Sequence, residues 1–207
     1  TPIIAFYYVA LFKTVKELLS SFKSSNPTWI KRPRDESDKI TLVDSDVNAT
    51  FFKYVNQMIS AVDDIREMNM SSQTVISLAS SEELPLTDST IDVVIASPPY
   101  CTRIDYAIAT ILELSILGYS DPKNLKNLRS KMIGTPTVNR DIDKPRNQWG
   151  TSANKVLARM SEHESKASYS YYYKIYFQYF NSIYNSLQEI DRVLKNDSYS
   201  VFVIQNS

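Results

Sequence analysis

Glycine is nearly missing from this chain. Three occur in 207 residues, where average usage would give about 14. Gly118 follows an apolar stretch, and Gly134 and Gly150 stand in a polar one. A G-x-G-x-x-G turn or a P-loop needs closely spaced glycines so that backbone N–H groups can approach phosphate, and these three form neither. Cys101 is the one cysteine and His163 the one histidine. An internal disulfide framework and a Cys-rich zinc site are thereby excluded, and a His-based centre is disfavoured, so no metal is expected. A dominant charge sign is also lacking, since 23 Lys+Arg balance 23 Asp+Glu. That argues against a protein that coats nucleic acid by bulk charge. The opening apolar run, Pro2 to Phe12, is followed by Lys13 and Lys16. It is shorter than the ~18–20 residues of a membrane span, and it has no basic leader or small-residue cleavage site. No membrane partner is expected. The chain opens on Thr1 rather than Met and reads as a piece of something longer.

What is present is an ordinary globular composition, 43% hydrophobic and 22% charged, which excludes a largely disordered chain. The length suits one good-sized α/β domain. Residues 2–22 read as a helix, with Thr1 able to cap it and Pro2 suited to its first turn. A second helix is predicted over about 48–68, where Phe51, Val55, Met58, Val62 and Ile65 recur at spacings of four and three. A third is expected from about Asp105 to Leu117, ending near Gly118. A fourth runs from about 169 to 194, its stripe being Tyr176, Phe180, Ile183, Leu187, Ile190 and Leu194. Thr74–Leu78 is a short strand candidate. Ile91–Ala96 is the strongest strand in the chain, β-branched and nearly continuous in hydrophobicity, which suits a parallel strand buried on both faces. After a turn at Lys195-Asn196-Asp197-Ser198, Tyr199–Ile204 reads as a second buried strand. Residues 119–168 are polar with weak periodicity, and their ten basic and five acidic residues give a local balance of +5.

The chemistry concentrates where the strongest strand stops, at Ser97-Pro98-Pro99-Tyr100. Two prolines cannot continue a central strand. They fix the backbone and remove two N–H donors, which leaves carbonyl groups to accept hydrogen bonds. Ligands of open parallel sheets bind beyond the carboxyl ends of the strands. An aromatic ring beside fixed acceptors can stack on a flat ring while the acceptors hold its amino group, as base-modifying enzymes require.

Ile91 to Tyr100 resembles motif IV of the S-adenosylmethionine-dependent amino-group DNA methyltransferases, (Asp/Asn/Ser)-Pro-Pro-(Tyr/Phe). Leu84-Pro85-Leu86-x-Asp88 before it, Arg103-x-Asp105-Tyr106 after it, and Arg192-Val193-Leu194-Lys195 leading to Asn206-Ser207 resemble a branch of that family. The similarity covers roughly 75–118 and 170–207, and Asn26-Pro27-Thr28-Trp29 is a further candidate. The resemblance implies a Rossmann-like α/β fold, its sheet mostly parallel with helices on both faces and incomplete here. Residues 1–207 would be one methyltransferase-like domain with a basic insertion at about 119–168. It implies transfer of a methyl group from S-adenosylmethionine to the exocyclic amine of cytosine, or of adenine, in double-stranded DNA with the target base flipped out. The setting would be a prokaryotic, cytoplasmic restriction–modification system. Ser97 and the Pro98 carbonyl would hold the amine, Pro99 would complete the rigid turn, and Tyr100 would stack on the base. Arg103, Asp105 and Tyr106 become candidate substrate-binding residues, and no metal is required.

The family's Phe-x-Gly-x-Gly loop is absent, Ser80 stands where an acid precedes the Leu-Pro-Leu segment, and Asn196-Asp197-Ser198 replaces Pro-Gly-Gly. The cofactor-binding residues are therefore unassigned. Three alternatives stay open: a cofactor-incomplete half served by a missing segment or partner chain that carries the loop, an RNA guanine amino-group methyltransferase, and a non-enzymatic DNA-binding module. Several residues also have a plain structural reading. Asp105 can stabilise a helix dipole. Tyr169, Tyr171, Tyr172, Tyr173, Tyr176 and Tyr179 can be packing residues or a stacking surface for bases. Trp149 can be a buried anchor or a wedge. Cys101 reads as a small apolar residue, and His163 as a solvated one.

Overall fold

The computed structural model describes residues 1–22, 24, 31, 33–67, 73–101, 104–135, 137 and 144–204. It is a mixed α/β structure, mostly helical, that falls into two compact units. The first comprises Thr1–Ile76 and Ala107–Pro122 and the second Ser77–Tyr106 and Lys123–Ser207.

The first unit is helical. Helix α1 (Pro2–Leu18) starts at the proline, whose missing N–H costs nothing in a first turn. Ala10 and Thr14 are fully buried, and the Thr14 hydroxyl donates to the Ala10 carbonyl at 2.8 Å, so no polar group is stranded. Helix α2 (Asp44–Glu67) begins a turn earlier than expected, with Asp44 and Asp46 in its first turn, where acids favour the helix dipole. The two helices are joined by a polar cluster: the Glu17 carboxylate accepts from Lys53 Nζ at 2.9 and 2.8 Å and from the Tyr54 hydroxyl at 2.5 Å. Those bonds hold the Glu17 carboxyl below its usual pKa. The stripe of α2 is covered at Val55 but bare at Val62 and Ile65. The helix expected over 105–117 is broken at Thr110 into α3 (Tyr106–Ala109) and α4 (Ile111–Ile116), and Gly118 follows at φ +90°. Glu113 of α4 pairs with Lys16 of α1.

In the second unit β1 (Ile91–Ala96) pairs in parallel with β2 (Leu194–Phe202), and α5 (Pro122–Ser130), α6 (Thr151–Ser161) and α7 (Tyr173–Val193) complete it. The core of this unit includes Leu157 of α6 and Ile175, Phe177 and Val193 of α7. Trp149 lies edge-on to Phe177 with ring centroids 5.0 Å apart, which makes it an anchor of this core. Ile91 faces Leu194 but Val93 faces Tyr199, so two steps along β1 match five along β2. The predicted turn is this bulge, with Asp197 at φ +62°.

Three expectations are corrected. Thr74–Leu78 is not a strand: strands need a pairing edge, and these residues have none among the described residues, with Ile76 93% exposed. The strands are not buried on both faces. Val93, Ile95, Tyr199 and Val201 share one face, and Ile95 and Tyr199 are 76% and 74% exposed. Of the expected mostly parallel sheet, the described residues show two parallel strands with an apolar face open. The 119–168 region is also more helical than its weak periodicity suggested, because a few residues such as Leu157 carry its packing.

Candidate functional site

Both ends of β1 are positioned by α7. At the amino end the last turn of the helix supplies Arg192, whose five N–H donors form a rigid fork. Its Nη1 donates to the Leu86 carbonyl at 2.9 Å and to Asp88 at 2.5 Å. Its Nη2 donates to the Leu84 carbonyl at 3.1 Å, and Nη2 and Nε grip Glu189 at 2.8 and 2.9 Å. Glu189 in turn accepts the Leu84 N–H at 2.9 Å. Ser89 and Thr90 then donate to the Arg192 and Val193 carbonyls, both at 2.9 Å, and the chain runs directly into β1. The Arg192 guanidinium, and after it the Leu84 N–H, hold the Glu189 carboxyl down at about 2. The Leu84–Asp88 segment is thus bolted to the end of α7.

At the carboxyl end, the Val203 N–H reaches the Ala96 carbonyl at 2.9 Å, and the chain turns out of the sheet. Ser97 is exposed, and Pro98, Pro99 and Tyr100 are half-buried. The Tyr179 hydroxyl, two turns into α7, donates to the Pro99 carbonyl at 3.0 Å. Burial pushes the Tyr179 phenol up, and Cys101, Tyr106, Tyr100 and Tyr176 add to the shift. Burial also pushes the Cys101 thiol up to about 12, which leaves it protonated and unreactive at neutral pH. Gly134, at φ +77°, closes on the motif from elsewhere in the unit. A Cβ there would lie 2.9 Å from the Tyr100 carbonyl oxygen and 3.7 Å from Pro99 Cβ.

Of the motif, Pro99 is thus held by Tyr179, and the Tyr100 carbonyl is backed by Gly134. Asp105 sits one residue before α3, and its carboxylate accepts from Arg129 Nε at 2.8 Å and pairs with Nη2 at 2.6 Å. Arg103 lies outside the described residues, as do Asn26–Trp29 and Asn206–Ser207. Tyr169, Tyr171 and Tyr172 are exposed on the turn of π-helix before α7, whereas Tyr173 and Tyr176 are partly covered. Sequence reading gives Gly134 and Arg129 no individual role, places Arg192 only in the family-like Arg192-Val193-Leu194-Lys195 segment, and reads Tyr179 only as one of a tyrosine series for packing or stacking. Their partners are distant in the chain, and no spacing signals them.

Among the described residues no site that fits S-adenosylmethionine is formed. Gly118 and Gly150 face open space and Gly134 is filled by the Tyr100 backbone, so none of the three forms a cradle. Ser80 closes a short turn, its hydroxyl accepting the Glu82 N–H at 3.2 Å. Two surface clefts, one lined by Ser21, Lys31, Arg34 and Asp38 and the other by Arg159, Glu162, His163 and Glu164, include no residue of the motif. Among the described residues no His/Cys/Asp/Glu group could hold a metal, and no helix is long and apolar enough to cross a membrane.

No protein-family model matches the chain, and no solved structure matches it. Over 93 residues it is 34% identical to Type II methyltransferase M.BsoBI of Geobacillus stearothermophilus, a match that takes in 42% of this chain and 18% of that protein. The chain therefore spans less than a fifth of that relative's length. The similarity is distant and partial, and it relates the chain to a methyltransferase.

Proposed function

We propose that this chain is the target-base side of a DNA methyltransferase that modifies the exocyclic amine of cytosine or adenine. The observation that carries the reading is Ser97-Pro98-Pro99-Tyr100 directly beyond the carboxyl end of a strand that has a parallel neighbour. By this reading Ser97 and the Pro98 carbonyl accept hydrogen bonds from the target amine, the prolines keep those acceptors rigid, and Tyr100 stacks on the flipped base. Tyr106 and Arg103 are proposed to reach substrate. Asp105 acts through its pairing with Arg129, which ties the start of α3 to α5. Residues 1–207 act as one methyltransferase-like domain with a basic insertion, whose +5 balance attracts phosphate. The relative's type II name favours a restriction–modification setting, in the prokaryotic cytoplasm. S-adenosylmethionine is the methyl donor of such enzymes. Since these residues offer no cradle for it, the donor side belongs to a further segment or a partner chain.

Two measurements test this. In calorimetric titration with S-adenosylmethionine, no binding by the folded chain is expected. Saturable one-site binding would overturn the half-enzyme part of the reading. In a methyl-transfer assay on unmethylated DNA, with the donor-binding segment supplied, Tyr100→Ala should abolish transfer. Weak, salt-dependent DNA binding should remain. Transfer surviving that change would overturn the motif assignment, and the methylated nucleoside released by digestion identifies the base.

A further inference from the structure

The Pro98–Tyr100 segment poses a positioning problem that its own sequence cannot solve. Neither proline has an N–H, so no ladder bond donated by the segment can hold those two residues. The pyrrolidine ring of Pro99 locks its φ, but ψ stays free, and ψ sets the plane of the Pro99–Tyr100 peptide and the direction in which the Tyr100 side chain leaves. A donor placed on the Pro99 carbonyl removes that freedom. Tyr179 supplies one, 80 positions away in sequence, at 3.0 Å from the Pro99 carbonyl. Its ring is itself held, half-buried, with the Phe180 centroid at 5.8 Å. The next carbonyl, that of Tyr100, is backed by Gly134, which is buried and has no room for a Cβ.

We propose that Tyr179 is a positioning residue for the Ser97–Tyr100 segment, its hydroxyl fixing the Pro99–Tyr100 peptide plane while the bare backbone of Gly134 backs the Tyr100 carbonyl. The Pro98 carbonyl and the Tyr100 ring then meet a flat, amine-bearing ring in one orientation. The catalytic consequence rests on the methyltransferase reading; the clamp itself does not. Preset geometry of this kind matters because a misplacement of about 1 Å at a reacting group can cost about 100-fold in rate.

The sequence offers a clean probe. Of its nine prolines only Pro99 precedes a tyrosine. Protein labelled with 13C-carbonyl proline and 15N-tyrosine therefore gives a single carbonyl-to-amide NMR cross-peak, from Pro99 to Tyr100. Tyr179→Phe keeps the ring and removes the hydroxyl, and it should shift the Pro99 carbonyl resonance upfield in a folded sample. Tyr173→Phe, six residues earlier on the same helix, should leave the peak in place. An unmoved peak in Tyr179→Phe overturns the clamp. In the methyl-transfer assay, Tyr179→Phe should lower kcat by about 10- to 100-fold with KM for DNA nearly unchanged. A shifted peak with unchanged kcat overturns the positioning role. If the wild-type protein, with its donor segment supplied, transfers no methyl group, the methyltransferase reading falls and the peak alone decides the clamp.

Discussion

The two ends of β1 are held by opposite means. At the amino end Arg192 grips two carbonyls and two carboxylates, and Glu189 returns a bond to the Leu84 N–H. At the carboxyl end only neutral contacts hold the chain: the bond from the Val203 N–H to the Ala96 carbonyl, the Tyr179–Pro99 hydrogen bond and a close backbone contact at Gly134. Charge-assisted, forked bonding fixes where the strand begins and in what register. At the other end, where the hold is neutral, Ser97 is exposed. One helix serves both ends, so a change at Arg192 and a change at Tyr179 ask the same element two different questions.

The sharpest way to break the amino end is Arg192→Met. It strips the Leu84 and Leu86 carbonyls and the Glu189 carboxylate of their shared donor while keeping an apolar stem. We expect it to lower the denaturation midpoint more than Gly134→Ala, Gly150→Ala or Lys195→Ala does. Its acid dependence carries a signature. Glu189 is depressed from its ordinary 4.5 to about 2, so its contribution is complete above the ordinary value and is lost as pH falls through the folded one. The wild-type advantage over Arg192→Met should therefore shrink between pH 4.5 and about 2. The Tyr179–Pro99 bond is neutral throughout that range and should be indifferent to it. Urea midpoints measured from pH 6 to pH 2 check both statements, and a gap that stays constant would show that the Arg192–Glu189 pair does not hold this end.

Gly134→Ala attacks the carboxyl end without touching a charge. The positive φ of +77° and the 2.9 Å approach to the Tyr100 carbonyl act together. The new methyl group can be accommodated only by backbone movement, at a cost of about 1–3 kcal/mol. The Pro99–Tyr100 cross-peak should move as well. Gly150→Ala is the matching control, because it has a similar φ of +86° but nothing within 4 Å. It should be destabilising yet silent at the motif.

What could be read from sequence was whatever is local. The stripe from Tyr176 to Leu194 marks α7 because its period needs no partner, and Ile91–Ala96 announces β1 by composition alone. Ser97–Tyr100 falls beyond that strand for the same reason. Thr74–Leu78 has the same β-branched look and is no strand, because pairing is a property of two segments and one segment's residues cannot declare it. The Lys195–Ser198 turn signal was sound, but the tertiary pairing on either side made it a bulge. Tyr179 looked like one of a series of tyrosines. What separates it from Tyr171 is a carbonyl eighty positions away, which no periodicity encodes. Asp105 shows the converse: its place before a helix was visible, its partner Arg129 was not.

The smallest effect sharpens the comparison most. Lys195 and Asp92 also sit at the amino end of β1, beside the bulge, with Nζ and Oδ1 only 2.6 Å apart. On distance alone this pair outranks the 3.0 Å bond at Pro99. Its side chains, however, are 47% and 78% exposed, so water and salt screen the attraction and the lysine gives up rotamer freedom to hold it. Lys195→Ala should lower stability by less than about 0.5 kcal/mol, below the roughly 1 kcal/mol of an ordinary part-buried hydrogen bond such as that of Tyr179. Urea midpoints at low and at molar salt measure it. A loss well above that value would mean that the ion pair and not the Arg192 fork sets the register at this end. The expected near-silence means that the hold on β1 follows the cover given to the bonds, not the count of charges near them.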